Sequence, residues 1–212
     1  MAPPDRGYDA DMAEDPDRSE AARFSADGRS PIMGGQLVYL RPGERDDVPL
    51  FVRWFTDRRT TRTLVISAPI GMALEDRWFD QMLERHGKDR WFFVICRLAD
   101  GRPVGSIDLH DVDQRNGNAS LGIAIGDRAD TGHGYGADAL RVLVSFGFGE
   151  LRLERIELEV YDFNDPARRL YERVGFRHEG TRRRALYTEG TFHDVHLMAV
   201  LRDEWTTPGR EP

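Results

Sequence analysis

The chain has 212 residues, 40% of them hydrophobic, and its 30 basic and 37 acidic side chains leave a formal net charge of −7. That length supports one hydrophobic core, and the acidic balance argues against nucleic acid as the main partner while weakly favouring a cationic small substrate. No apolar run reaches the length of a membrane-spanning helix and the N-terminus lacks an apolar signal-peptide core, so a cytoplasmic protein without a membrane partner is expected.

Residues 1–32 carry four Arg against eight acidic side chains, with Tyr8 and Phe24 as the only aromatics. Such a segment cannot bury enough surface to offset ordering, and a flexible acidic tail is expected there. A domain then spans 33–206, followed by a short tail over 207–212. Leu37 to Leu40 reads as a first strand, and Glu44 to Phe55 as a helix with Val48, Phe51, Val52 and Phe55 at helical spacing. Thr56 to Pro69 is a connection. Leu74 to His86 is a second amphipathic helix bearing Trp78, Phe79, Met82 and Leu83. Trp91–Leu98 and Val104–His110 make a hairpin across the turn at Ala99–Arg102, and Asp111–Asn118 reads as a polar loop. The only cysteine, Cys96, excludes an intramolecular disulfide and sits in an apolar run, where a buried thiol is expected rather than a nucleophile.

The strand Ala119–Ile125 delivers the chain to Gly132-His133-Gly134-Tyr135-Gly136, and a helix follows from Ala137. Glycines at alternate positions let successive N–H groups turn toward one anion, and the helix adds its unpaired first-turn N–H groups. Together these read as a phosphate cradle, set against a glycine-rich turn that only caps the helix. No Lys-Ser or Lys-Thr follows the last glycine, so a P-loop is excluded, whereas a dinucleotide fingerprint remains formally open. Gly149 is the expected helix stop. Arg155–Tyr161 alternates as a strand, and a short helix runs from Pro166 to Val174 with Asp165 as the expected N-cap and Gly175 as its end. Two strands, around Arg183–Tyr187 and Phe192–Leu201, close an α+β domain with a mixed sheet.

The glycine loop, the strand Arg155–Tyr161 and the run Asn164-x-x-Ala167-x-x-Leu170-Tyr171-x-x-x-Gly175-Phe176 together resemble the GNAT superfamily of acetyl-CoA-dependent N-acetyltransferases. Within it the chain looks closest to the ribosomal-protein N-terminal and spermidine acetyltransferase branch. The resemblance covers roughly Leu37 to Trp205. It implies a mostly antiparallel sheet splayed at its centre, with the acyl-CoA arm in the gap, and a possible homodimer. Backbone groups of Ile123, Ala124 and Ile125 would pair with the pantetheine amides. The loop from Thr131 through Gly132, His133, Gly134, Tyr135 and Gly136 to Ala137 would hold the pyrophosphate. Asn164 would bond the pantetheine arm and Arg169 an adenosine phosphate. At Thr131 the family usually has Gln or Arg, or Trp in this branch, and at Ser120 a Glu is common.

Acyl transfer to a primary amine needs a proton acceptor for the amine and a donor for the departing thiolate. Tyr171 is the expected donor, set against a purely packing role on the apolar face of Ala167, Leu170 and Val174. Asp108 and His110, two apart on one strand and so on one face, are the candidate bases, set against a solvated strand end. The acceptor is a small-molecule amine (polyamine or amino sugar) or a protein N-terminus, with Trp54, Phe55 and the Thr56–Pro69 connection expected around it. His193 and His196, three apart on a strand, point to opposite faces, so no metal site is expected. A non-catalytic acyl-CoA sensor and a nicotinamide-binding domain are the alternatives.

Overall fold

The computed structural model describes residues 33–64 and 70–206; the two expected tails, and the end of the Thr56–Pro69 connection, lie outside the described residues. Strands β1 (Met33–Gly34), β2 (Val38–Pro42), β3 (Trp91–Arg97), β4 (Pro103–Asp113), β5 (Asn118–Ile125), β6 (Arg155–Tyr161), β7 (Arg177–Thr188) and β8 (Thr191–Leu201) form one sheet. Its order is β1-β2-β3-β4-β5-β6-β8-β7, antiparallel throughout except for the parallel pair β5–β6. The helices are α1 (Val48–Thr56), α2 (Arg58–Thr61), α3 (Met72–Arg85), α4 (Tyr135–Gly149) and α5 (Asp165–Val174). No helix among the described residues is long and apolar enough to cross a membrane.

Two apolar clusters, one on each face of the sheet, hold these layers together. Ile107, Leu109 and Leu121 pack with Leu140, Leu143 and Val144 of α4. Tyr39, Phe92, Val94 and Cys96 pack on the other face with Phe51 and Trp54 of α1 and Phe79 and Met82 of α3. β3, covered on both faces, is therefore an unbroken apolar run from Trp91 to Cys96, all buried. The strand period of two decides which polar groups reach the α1/α3 face. Since Ile107 and Leu109 face α4, Asp108 and His110 face the other way, opposite Gly122 and Ser120.

Four local readings need correction. Asn164, not Asp165, is the N-cap of α5, its side chain accepting the Ala167 N–H, while Gly175 ends the helix at φ 119°. Gly149 does not stop α4 in a left-handed conformation; it is the last helical residue, and Arg152 takes the positive φ of 54° instead. β7 begins at Arg177, well before Arg183, because its edge position leaves most side chains exposed and removes the alternation that marks a half-buried strand. β4 likewise runs into the expected loop, to Asp113.

Asp138, in the first turn of α4, is 5% exposed and accepts the N–H groups of Gln36 (3.1 Å), Leu37 (2.7 Å) and Val38 (3.0 Å). It thereby anchors the start of β2 beside the glycine loop. A Cβ on Gly35 would lie 2.4 Å from its carboxylate, which is why the passing chain is Gly there. Asp138→Ala is expected to cost about 2 kcal/mol, since charge-assisted bonds are worth more than neutral ones. The check is hydrogen exchange: protection should fall first at Leu37 and Val38.

Candidate active site

β5 and β6 pair only where Asn118, Ala119 and Ser120 meet Arg155, Ile156 and Glu157. The Gly117 carbonyl pins this end, accepting the N–H groups of Glu154 (2.6 Å) and Arg155 (3.1 Å). Beyond it the strands part. Leu121–Ile125 stay registered on β4 and Leu158–Tyr161 on β8, so the facing backbone edges of the fork have no ladder partner. That fork is the expected central splay. Ile123, Ala124 and Ile125 lie on its edge, and an extended ligand can pair there as an added strand does.

At the mouth of the fork Gly132 and Gly134 take φ of 82° and 85°, conformations that an L side chain adopts only at a cost. Among the described residues the N–H groups from Gly132 to Ala137 have no acceptor, the first bonded one being Asp138 to the Gly134 carbonyl at 3.1 Å. They lie at the positive end of α4, which suits a phosphate. Side chains around the cradle are occupied. Thr131 Oγ1 donates to the Arg128 carbonyl (2.7 Å), His133 Nδ1 lies 3.1 Å from the Thr131 carbonyl, and the His133 ring stacks on Tyr135. Leu170 of α5 packs against Gly136, bringing α5 to the same mouth. Arg169 on α5 is exposed with no ion pair among the described residues, whereas Arg168 pairs with Asp165 and Glu172. Asn164 uses its Oδ1 as the cap, leaving the amide Nδ2 to donate elsewhere.

Tyr171 lines a cavity of about 430 Å³ at the fork, with His110 and Ser120 on one side and the β6–β8 surface on the other. Its ring packs edge-on against Phe176, its hydroxyl has no hydrogen bond among the described residues, and burial pushes the phenol up to about 12. The far wall is ion-paired: Arg155 holds Glu157 (2.9 Å) and Glu179 (2.5 Å), and Arg182 holds Glu159.

The two candidate bases differ in how occupied they are. Asp108 is gripped by Arg90 through Nε (2.9 Å) and Nη2 (2.6 Å). His110 Nδ1 lies 3.4 Å from Asp108 Oδ2, in a geometry that makes no hydrogen bond, so that nitrogen is buried without a partner among the described residues. His193 pairs with Asp162 (2.9 Å) and His196 with Thr181 (3.0 Å), on opposite sides of β8.

A second cavity of about 270 Å³ opens on the α1/α3 face and shares Leu64, Gly122 and Ile123 with the first. Phe55, Trp78, Phe92, Arg90 and Glu75 line it. Trp54, expected here, is instead a core residue 1% exposed, its indole over Gly126, where a Cβ would come within 2.1 Å. Glu75 escaped the sequence reading although a signal existed: it falls on the same helical stripe as Phe79 and Met82 and is buried with them.

Residues 38–177 match the family model described as "Acetyltransferase (GNAT) domain". The chain belongs to the GNAT acetyltransferases. It is 32% identical over 179 residues to "Probable N-acetyltransferase YjcK" of Bacillus subtilis (strain 168), covering 82% of this chain and 98% of that one. It is also 37% identical over 108 residues to "Putative ribosomal N-acetyltransferase YdaF" of the same organism, covering 51% of this chain and 58% of that one. The structure is similar to spermidine N-acetyltransferase from Vibrio cholerae, solved with CoA and spermine. The TM-score is 0.72 at 22% identity, over 79% of this chain and 96% of that one. This GNAT chain is thus an acetyltransferase enzyme, and acetyl-CoA, the co-substrate of the family, replaces a nicotinamide dinucleotide as the phosphate-bearing ligand. The fork and the bare N–H cradle fit its long arm and pyrophosphate.

Proposed function

We propose that this GNAT enzyme moves the acetyl group of acetyl-CoA to a primary amine by direct attack in a ternary complex, with Tyr171 as the general acid. The observation that carries the reading is the fork: an unpaired strand edge leads from the anion cradle to a cavity lined by Tyr171, whose hydroxyl has no bond among the described residues. The edge at Ile123, Ala124 and Ile125 would take the pantetheine amides, the N–H groups from Gly132 to Ala137 the pyrophosphate, Asn164 Nδ2 the arm and Arg169 an adenosine phosphate. Cys96 is fully buried and its thiol pushed up by burial, so no acetyl-cysteine is invoked.

The amine nitrogen attacks the thioester carbon, the C–N bond forms and the C–S bond breaks. An ammonium loses two protons on becoming an amide: one leaves to solvent through a base, the other replaces the proton that Tyr171 gives to sulfur. The base side is the α1/α3 face of β4 and β5, which carries Asp108 and His110. The acceptor class includes protein N-termini, polyamines and amino sugars. Thiol release from acetyl-CoA should rise above the hydrolytic background with one of these classes; a flat response across peptides with free N-termini, spermidine and amino sugars would sink the amine reading.

The cradle has its own test. Alanine at Gly134 places an L side chain at φ 85°, with its Cβ 3.1 Å from Leu37 Cδ1. Relaxing that strain, worth about 1–2 kcal/mol, swings the first N–H groups of α4 out of line. Gly134→Ala is expected to raise the calorimetric Kd for CoA roughly tenfold; an unchanged Kd would place the pyrophosphate elsewhere.

A further inference from the structure

Glu75 is 3% exposed, seated on the buried stripe of α3, yet its carboxyl makes no hydrogen bond or ion pair among the described residues. Buried carboxyl groups are normally bonded, so one without a partner calls for one that arrives with a ligand. Glu75 lines the cavity walled by Phe55, Trp78 and Phe92, which shares Leu64, Gly122 and Ile123 with the fork cavity. At that shared wall a Cβ on residue 122 would stand 2.6 Å from Asp108 Oδ1, so glycine is what lets the Asp108 carboxylate lie against β5.

We infer that this slot seats the acceptor, a single ammonium carried on an aromatic or aliphatic group, and that Glu75 is the carboxylate that meets that ammonium and takes its proton. The inference rests on the amine-acetylation reading above and names its substrate class. The charge inventory of the slot sets that class. Arg90 and Asp108, the other charged groups lining it, neutralise each other at 2.6 Å, which leaves one carboxylate for one cation. Arg90 is further held over the Trp78 ring, and the rest of that wall, Phe55 and Phe92, is aromatic. A polyamine would have to leave its further ammonium groups against that wall without counter-ions.

Glu75 is also tuned to the task. Burial first, and the neighbouring Asp76 second, push its carboxyl up to about 7, where a base can accept a proton and return it to solvent. The proton passes from the ammonium nitrogen to a Glu75 oxygen, the freed lone pair attacks the thioester carbon, and Tyr171 protonates the departing sulfur. The second N–H proton restores Tyr171 while Glu75 discharges to water, so the balance closes with one proton released per turnover.

The test is thiol release by wild type, Glu75→Gln and Glu75→Asp with phenethylamine, a peptide beginning with Phe, a peptide beginning with Asp, and spermidine, each from pH 5 to 9. The wild type should prefer phenethylamine or the Phe peptide, and kcat/KM should fall below about pH 7. Faster turnover of the peptide would identify a polypeptide N-terminus as the source of the ammonium, and faster turnover of phenethylamine a free amine. Glu75→Gln should lose about a hundredfold and with it the ionisation near pH 7, at unchanged CoA affinity. Glu75→Asp, which keeps the carboxylate, should retain that ionisation. Preference for spermidine, or a Glu75→Gln enzyme with the wild-type rate and pH profile, would overturn the inference alone. No amine turned over by the wild type would overturn the amine reading as well.

Discussion

Tyr171→Phe is expected to lower kcat by about a hundredfold or more while leaving CoA affinity and thermal stability near wild type. The substitution is clean because of how the residue sits. The ring, 8% exposed and edge-on to Phe176, supplies the packing, and Phe keeps it. The hydroxyl has no protein partner among the described residues, so its removal strands no buried donor or acceptor. A residue present only to fill the core would therefore show no change in rate. Burial holds the phenol at about 12, so it stays protonated and able to donate across the usual assay range. Any alkaline fall in the wild-type rate below about pH 11 thus belongs to another group. The informative pair of measurements is single-turnover acetyl transfer and calorimetric CoA binding. Loss of the first with the second intact supports the acid role, and a wild-type rate refutes it.

The elements that could be read from sequence are those whose two environments contrast sharply. Arg155–Tyr161 alternates because Ile156, Leu158 and Val160 face the α4 core while Glu157 and Glu159 face the fork, so its bounds were legible to the residue. Gly175 and the glycine loop were legible because positive φ has few residue types to choose from. β7 was half hidden: Arg182, Arg183 and Arg184 sit on an edge with a bulge, where neither face is buried. The fork could not be read from the residues alone, since the parting of two strands leaves no periodicity behind; it came with the resemblance. Glu75 was missed for a different reason. Carboxylates are rarely buried, so its place on the Phe79 and Met82 stripe carries little weight against residue type until the packing shows it facing inward. Trp54 was misplaced toward the acceptor because an indole at a helix end suits a pocket wall as well as a core. The bare backbone of Gly126 against it decided for the core.

Asp47→Ala is expected to cost about 3–5 kcal/mol, a fall in Tm of roughly 10 °C, because it leaves a guanidinium buried without its counter-ion. Arg41 on β2 is 3% exposed and meets Asp47 through two parallel bonds, Nη1 to Oδ2 and Nη2 to Oδ1, each 2.7 Å. Asp47 Oδ2 also accepts the Glu44 N–H at 2.8 Å, so one carboxylate closes the turn that leads into α1 and ties it to the sheet. Water cannot easily replace that partner for Arg41 at such depth. Removing both charges should behave differently: Arg41→Met with Asp47→Leu exchanges the pair for apolar volume and should recover most of the loss in a double-mutant cycle. The consequence reaches the site, because α1 carries Phe55 into the wall of the Glu75 slot. In the single variant KM for the acceptor should rise before kcat falls, since the aromatic wall moves while Tyr171, held between β6 and Phe176, does not. Equal stability of Asp47→Ala and wild type by chemical denaturation would show that α1 is positioned by its apolar face alone.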